Sequence, residues 1–162
     1  MSGSIPGATD APARSINAMQ LRLLDTYQTG LRLAVQDAVQ GESQGGWACL
    51  ERLSTYLAGW FSRPDWFGLW ALMTTTQSSA LDRPDVAKAT TETREEERRL
   101  LDRLAEATGA ADPVALGNRM RAIIYGSATA AALDDGSAAA DTLHTLLAMT
   151  WRNTGTAPLS SS

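Results

Sequence analysis

Two stretches near the end of the chain carry no formal charge, and they constrain the fold more than any other feature. Residues 122–133 read AIIYGSATAAAL and residues 142–151 read TLHTLLAMTW, with His144 counted as neutral. A helix on the surface of a monomer normally shows one apolar stripe and one charged face. These two stretches therefore predict helices buried on more than one side, by the chain's own core and by a second copy of the chain.

Composition excludes several classes of protein. A length of 162 residues suggests one domain, and a net charge of −4 argues against a surface that neutralises many phosphates, so we expect no direct binding to DNA. The single cysteine, Cys49, cannot form an internal disulfide; we expect a small core residue and a cytoplasmic protein. No run of about 18 apolar residues occurs, so we expect no membrane span.

Apolar residues recur every three or four positions through the middle of the chain, and no run of strict alternation occurs. This pattern predicts an all-α fold, a bundle of six helices. Asp65, Asp112 and Ser137 are the expected N-caps, while Gly109 and Gly136 are expected to end helices. The predicted helices cover about 16–40, 47–62, 66–78, 82–108, 113–134 and 137–152. Residues 1–15 and 153–162 are expected to be disordered flanks of a domain at 16–152.

Constellations for catalysis or metal binding are absent or weak in the sequence. There is no P-loop or GxGxxG motif, and His144 is the only histidine. A zinc site needs several nitrogen, sulfur or oxygen ligands, and one histidine with one distant cysteine is a poor start. We therefore expect no enzyme, cofactor or metal. His144 is expected to be an interface or core histidine with one satisfied nitrogen, and a ligand or catalytic role is the alternative.

The charged run TETREEERRLLDR at residues 91–103 predicts a solvated helix face. Glu95 and Glu96 can each pair with Arg99, one helical turn later, and each pair would stabilise by about 0.2–0.5 kcal/mol. Glu97 interrupts the inner face of the same predicted helix. The alternative interpretation is that Glu97 or Arg94 reaches into a pocket.

Aromatic side chains concentrate between residues 47 and 70, where four of the five tryptophans occur. Simple core packing would explain them. However, the nearby methionine, threonines and glutamine favour a pocket wall, since ligand pockets are mostly apolar with a few polar groups. We expect a small apolar or aromatic ligand. The predicted lining is Tyr27, Tyr56, Trp60, Trp66, Trp70, Met73, Thr74, Gln77 and Tyr125.

The dimer interface is predicted from the fifth helix. Ala122, Gly126 and Ala130 repeat every four residues and Leu133 follows, which makes a nearly flat face that a partner helix can approach closely. The opposite face can serve the chain's own core. On the sixth helix the division between core and partner stays open, and the residues assigned to the interface are Leu143, Leu147 and Trp151.

The order of these features resembles the C-terminal ligand-binding and dimerisation domain of TetR-type transcriptional regulators. The most similar stretch, residues 100–151, reads LLDRLAEATGAADPVALGNRMRAIIYGSATAAALDDGSAAADTLHTLLAMTW. The resemblance covers about residues 16–152 and is a pattern of helices rather than a strict motif. It implies an effector pocket among the middle helices and a four-helix dimer interface built from the last two helices of each subunit.

One departure from that family matters. TetR-type regulators carry a helix-turn-helix domain before this region, and residues 1–15 are too few and too polar for three helices. The expected function is therefore a small-molecule-sensing, dimerising domain without its own DNA-binding part, either an orphan or a fragment of a longer regulator. It would act as a homodimer or by pairing with a full-length relative. The alternative is a purely structural helical module with a solid core.

Overall fold

The computed structural model describes residues 10–40, 46–66, 73 and 83–154. Within these ranges every element of regular structure is an α-helix, which confirms the all-α prediction. The elements are α1 (Asp10–Gln40), α2 (Gly46–Phe61), α3 (Pro84–Ala107), α4 (Pro113–Leu133) and α5 (Gly136–Thr154). The third predicted helix, at 66–78, lies mostly outside the described residues.

The helices pack so that the last one returns to the second. α1 packs against α2 and α3, α3 packs against α4, and α5 packs against both α4 and α2. Burying one leucine side chain stabilises a fold by about 1.5–3 kcal/mol, and this core is made largely of leucines. Its fully buried members include Leu31, Leu50, Leu53, Leu100, Leu101, Leu104, Leu116, Met120, Leu143 and Leu147. None of the helices among the described residues is long and apolar enough to cross a membrane.

The apolar residues that recur every three or four positions form stripes, and these stripes are the buried faces of α1 and α2. A helix that buries one side repeats its apolar residues every three or four positions, and the structure follows that rule. The buried residues of these stripes are Leu24, Tyr27, Leu31, Val35 and Ala38 on α1, and Leu50, Leu53 and Leu57 on α2. Cys49 is also fully buried, as predicted for a small core residue.

The turn between α3 and α4 confirms the predicted boundary signals. Gly109 follows the end of α3 with a φ of 70°, a left-handed conformation that glycine adopts without a steric penalty. Asp112 caps α4, because its carboxylate accepts a hydrogen bond from the backbone N–H of Ala115 at 2.9 Å. Pro113 occupies the first helical position, where a missing N–H costs no intrahelical bond.

Two helix starts differ from the prediction. α1 begins at Asp10 instead of near residue 16; Pro12 falls in the first turn, where proline is tolerated. Gly136 begins α5 rather than ending the preceding helix. Asp135, not Ser137, caps this start, because its carboxylate accepts a hydrogen bond from the backbone N–H of Ser137 at 2.9 Å. A Cβ at Gly136 would overlap the carbonyl oxygen of Phe61, so glycine allows α5 to start against the end of α2.

Candidate functional site

Aromatic rings from α1, α2 and the turn after α2 meet around Trp60. The ring centroid of Trp60 lies 5.7 Å from Tyr27, 5.3 Å from Tyr56 and 5.8 Å from Trp66. Phe61 contacts Trp66 at 5.3 Å. We refer to these five side chains as the aromatic cluster. The spacings fall in the range where tilted aromatic pairs attract one another beyond simple burial.

The turn at the end of α2 places Trp66 in the aromatic cluster. The backbone N–H of Arg63 donates to the carbonyl of Trp60 at 3.0 Å, and the N–H of Trp66 donates to the carbonyl of Arg63 at 3.1 Å. The Arg63 guanidinium also binds both carboxylate oxygens of Asp65, at 2.9 and 2.7 Å. This bidentate pair lowers the pKa of the exposed Asp65. Asp65, which was predicted to be a helix N-cap, therefore pairs its carboxylate with Arg63.

A buried carboxyl group adjoins the aromatic cluster. Glu97 on α3 is only 2% exposed, and its Oε2 accepts a hydrogen bond of 2.8 Å from the Tyr125 hydroxyl on α4. Its other oxygen, Oε1, is buried and has no partner with hydrogen-bond geometry. Tyr27 connects this carboxyl to the cluster, because its ring packs on Trp60 while its hydroxyl makes a polar contact with Glu97.

The electrostatics of the carboxyl follow from its burial. Loss of water raises the pKa of Glu97, and the polar contacts from Tyr125 and Tyr27 lower it by less. The positive charges of Arg94 and Arg121 also favour the ionised form. In turn, burial and the Glu97 carboxylate raise the pKa of both tyrosine hydroxyls. Glu97 is therefore a carboxylic acid with a raised pKa that contacts the hydroxyl groups of Tyr27 and Tyr125.

The structure brings most of the predicted ligand-binding residues together. Tyr27, Tyr56, Trp60 and Trp66 meet in the aromatic cluster, and Tyr125 reaches it through Glu97. Met73 is half-buried against the core. The remaining predicted residues, Trp70, Thr74 and Gln77, lie outside the described residues.

The charged run was expected to be a solvated face, and for Glu97 that prediction is wrong, whereas its predicted register on the inner face of the helix is confirmed. The pairs of this run do form on the exposed side of α3, where Arg99 lies 3.8 Å from Glu95 and 3.9 Å from Glu96. The signal that identified Glu97 was its register, because it falls on the same face as the buried Thr93 and Leu100. Register therefore decided its burial, and residue type was misleading.

The interior of the aromatic cluster leaves little empty space among the described residues. A cavity of about 40 Å³ is lined by Leu23, Thr26, Tyr27, Trp60, Arg63, Asp65 and Trp66. The indole Nε1 of Trp66 is buried without a hydrogen-bond partner. On the other side of Trp60, a Cβ at Gly30 would overlap the indole ring, so the ring rests directly on the backbone of α1. The cavity can hold about one water molecule or a small group of a larger ligand.

The predicted interface residues divide into an outer and an inner set. Ala122 and Gly126 are exposed and Leu133 is 73% exposed, while Ala130 and Trp151 are half-buried. Leu143 and Leu147 are instead completely buried in the chain's own core. These two leucines have no surface left for a partner, because α5 turns them toward the interior of the bundle.

His144 has a structural environment. Its Nδ1 lies 3.1 Å from the hydroxyl of Ser54 on α2, and its ring meets Trp47 edge-on at 5.4 Å. One ring nitrogen is thus satisfied, as expected, but the side chain is exposed, so His144 is not a core residue. No group of three histidine, cysteine, aspartate or glutamate side chains in the described parts of the chain could hold a metal ion.

No protein-family model, curated protein or solved structure matches this chain. The resemblance to TetR-type regulators, which the order of the predicted helices suggested, stays a prediction.

Proposed function

We propose that this chain is a small-molecule-sensing, dimerising domain of the TetR-regulator type, built as a six-helix bundle with its last two helices at the dimer interface. One observation carries the ligand-binding part of the proposal. The aromatic cluster lies against a buried carboxyl group, Glu97, that has one oxygen without a partner. The domain makes no contact with DNA in this proposal, because a net charge of −4 does not favour binding to phosphates.

A purely structural core gains nothing from this carboxyl. Burying a polar group without full pairing lowers stability, and native cores keep few such groups. A leucine at position 97 would continue the apolar face that includes Leu100 and Leu104. A titratable group with a displaced pKa beside aromatic rings is typical of a binding site.

Support for a second copy of the chain as partner comes from the exposed side of α4 and α5. Exposed residues without charge lie on both of these packed helices. We call them the uncharged face: Ala122, Gly126, Leu133, Leu146 and Met149. Exposed apolar surface of this kind is typical of interaction sites. Because a Cβ at Gly126 would meet no other part of the chain within 4 Å, a partner helix can approach α4 closely there.

A structural module with a solid core is the second candidate, and a specific observation favours it. Trp60 is packed directly against the backbone of α1 at Gly30, and the cavity of the aromatic cluster measures only about 40 Å³. This is the close packing expected of a core. Under this alternative, the aromatic cluster binds nothing and the uncharged face alone makes contacts.

A screen of apolar and aromatic compounds by thermal unfolding distinguishes the two candidates. A compound at a hundred times its Kd should stabilise the protein by about 2.7 kcal/mol. Trp60→Phe should weaken that compound about tenfold, because it removes apolar contact area. Trp151→Phe is the matched control, since Trp151 is also half-buried but packs near Gly46, outside the aromatic cluster. If no compound shifts the unfolding of the wild type, the solid-core module is correct.

A further inference from the structure

We propose that Glu97 selects the ligand, with its Oε1 accepting a hydrogen bond from an N–H or O–H group on an aromatic molecule. This inference rests on the proposed ligand-binding function and names the chemical class of the ligand. Among the described residues, four buried side-chain atoms have no hydrogen-bond partner. They are Asn17 Oδ1, Trp66 Nε1, Glu97 Oε1 and Ser127 Oγ.

Among these four atoms, only the oxygen of Glu97 belongs to a group that can carry a formal charge. A buried unpaired carboxylate oxygen costs more free energy than a buried unpaired amide, hydroxyl or indole group. A hydrogen-bond partner at Glu97 would therefore recover more free energy than a partner at any of the other three atoms. Since the vacant position is an acceptor, the missing partner is a hydrogen-bond donor.

None of the neighbouring donors makes a hydrogen bond to this oxygen; the Tyr27 hydroxyl contacts the Glu97 carboxyl but does not reach hydrogen-bond geometry at Oε1. Tyr125 donates to Oε2 rather than Oε1. Arg121 is near enough to influence the pKa of Glu97, but its guanidinium binds Asp102 at 3.3 Å and also Asn118. Arg94 is exposed and provides no hydrogen bond to Oε1. The charge of Glu97 is partly balanced, whereas the hydrogen-bonding capacity of Oε1 is unused.

The surroundings of the carboxyl determine the remainder of the ligand. Tyr27 touches both Glu97 and Trp60, so the acceptor oxygen lies one side chain away from the aromatic cluster. A planar ring with a donor group can therefore stack on these rings and present its donor to Oε1. Glu97 is 2% exposed, so the ligand reaches Oε1 only after neighbouring side chains move.

Matched pairs of small aromatic compounds test this inference on the full chain. The probes are indole with 1-methylindole, phenol with anisole, and aniline with N,N-dimethylaniline; in each pair the second compound has lost its donor. Hydrogen bonds to charged groups contribute enough that the donor should bind roughly 10- to 100-fold more tightly. Affinities can be measured by calorimetry, which avoids the fluorescence of indole.

Glu97→Gln is the decisive variant. The Tyr125 hydroxyl should donate to the glutamine oxygen, which leaves the amide NH₂ at the position of Oε1. The preference for donor compounds should then disappear or reverse. Glu96→Gln is the matched control, because Glu96 is the adjacent residue but forms ion pairs with Arg32 and Arg99 on the outer side of α3. It should retain the preference of the wild type.

The wild type provides a second measurement that does not depend on the folding of the variant. Protonation of Glu97, followed by the carboxyl ¹³C resonance, should weaken the donor compounds and leave the methylated analogues unchanged. Tyr27, Tyr125, Arg94 and Arg121 are the titratable or charged groups around it. Equal binding within each pair would overturn this inference and leave the ligand-binding function intact, whereas no binding by any probe would overturn both.

Discussion

The aromatic cluster and the uncharged face differ in which kind of group lies in an unfavourable environment. Beside the aromatic cluster, the chain buries a carboxyl group and leaves Glu97 Oε1 without a partner. On the uncharged face, it leaves apolar side chains such as Leu133 and Met149 exposed. The first arrangement is costly until a polar donor arrives, and the second until an apolar surface arrives. The proposed ligand and the proposed second copy of the chain therefore differ in chemistry.

The largest expected effect separates the two sides of α5. Leu147→Ala should lower the free energy of unfolding by about 2–5 kcal/mol, because Leu147 is completely buried. Leu146→Ala should change it by less than about 0.5 kcal/mol at low protein concentration, since Leu146 is 39% exposed. Urea unfolding measures both variants. Equal losses at low concentration would contradict the division of α5 into an inner and an outer side.

Gly126→Glu tests the uncharged face as a dimer interface. The variant should fold normally, because a side chain at position 126 would start in open space. An unpaired charge in a closed interface, however, should cost a few kcal/mol per dimer. Light scattering at micromolar concentration should show a dimeric wild type and a monomeric variant. Gly59→Glu is the control, since Gly59 is an equally open position on α2, and it should stay dimeric. A monomeric wild type would reject the interface.

A smaller effect is expected where the aromatic cluster touches α1. Gly30→Ala should destabilise by about 1–3 kcal/mol, because its Cβ would overlap the indole of Trp60. Gly59→Ala should instead stabilise by about 0.5–1 kcal/mol, since alanine favours a helix and the space is open. Thermal unfolding measures both substitutions. If both variants gain stability, Trp60 moves freely and the aromatic cluster is loosely packed.

The smallest effect is a pH dependence that belongs to Glu97. Burial raises the pKa of Glu97 in the folded state, so its contribution is complete below the unfolded pKa and is lost as pH rises through the folded pKa. Glu97→Gln cannot lose a proton. In urea unfolding, its stability relative to the wild type should therefore increase as pH rises above 4.5, the ordinary pKa of a glutamate side chain. Glu96→Gln should show no such trend. If the stability of Glu97→Gln relative to the wild type fell as pH rises, the predicted direction would be wrong.

Much of the fold could be predicted because local signals were strong. The Asp112–Pro113 start, the Gly109 end and the leucine spacing of α2 each depend on a few neighbouring residues, and the structure confirms them. The start of α1 was missed because proline within a first turn resembles a loop residue. The cap at Asp135 was missed because Ser137 is an equally good capping residue by type.

The site was harder to predict because it depends on contacts between distant segments. The burial of Glu97 requires Tyr125 and Tyr27, which come from two other helices. Periodicity placed Leu143 and Leu147 on an apolar face but could not say whether the chain itself or a partner covers it. That distinction depends on how α2 and α4 pack against α5, and no local pattern encodes it.

The contact between α2 and α5 has a consequence for how this chain reaches its native state. Ser54 and His144, which meet across it, are 90 residues apart in sequence. Contacts of such long separation form slowly, since the intervening chain must first be ordered. During synthesis, the side of α2 that packs on α5 stays uncovered until α5 has emerged from the ribosome. Aggregation of nascent chains should therefore be most pronounced in this interval.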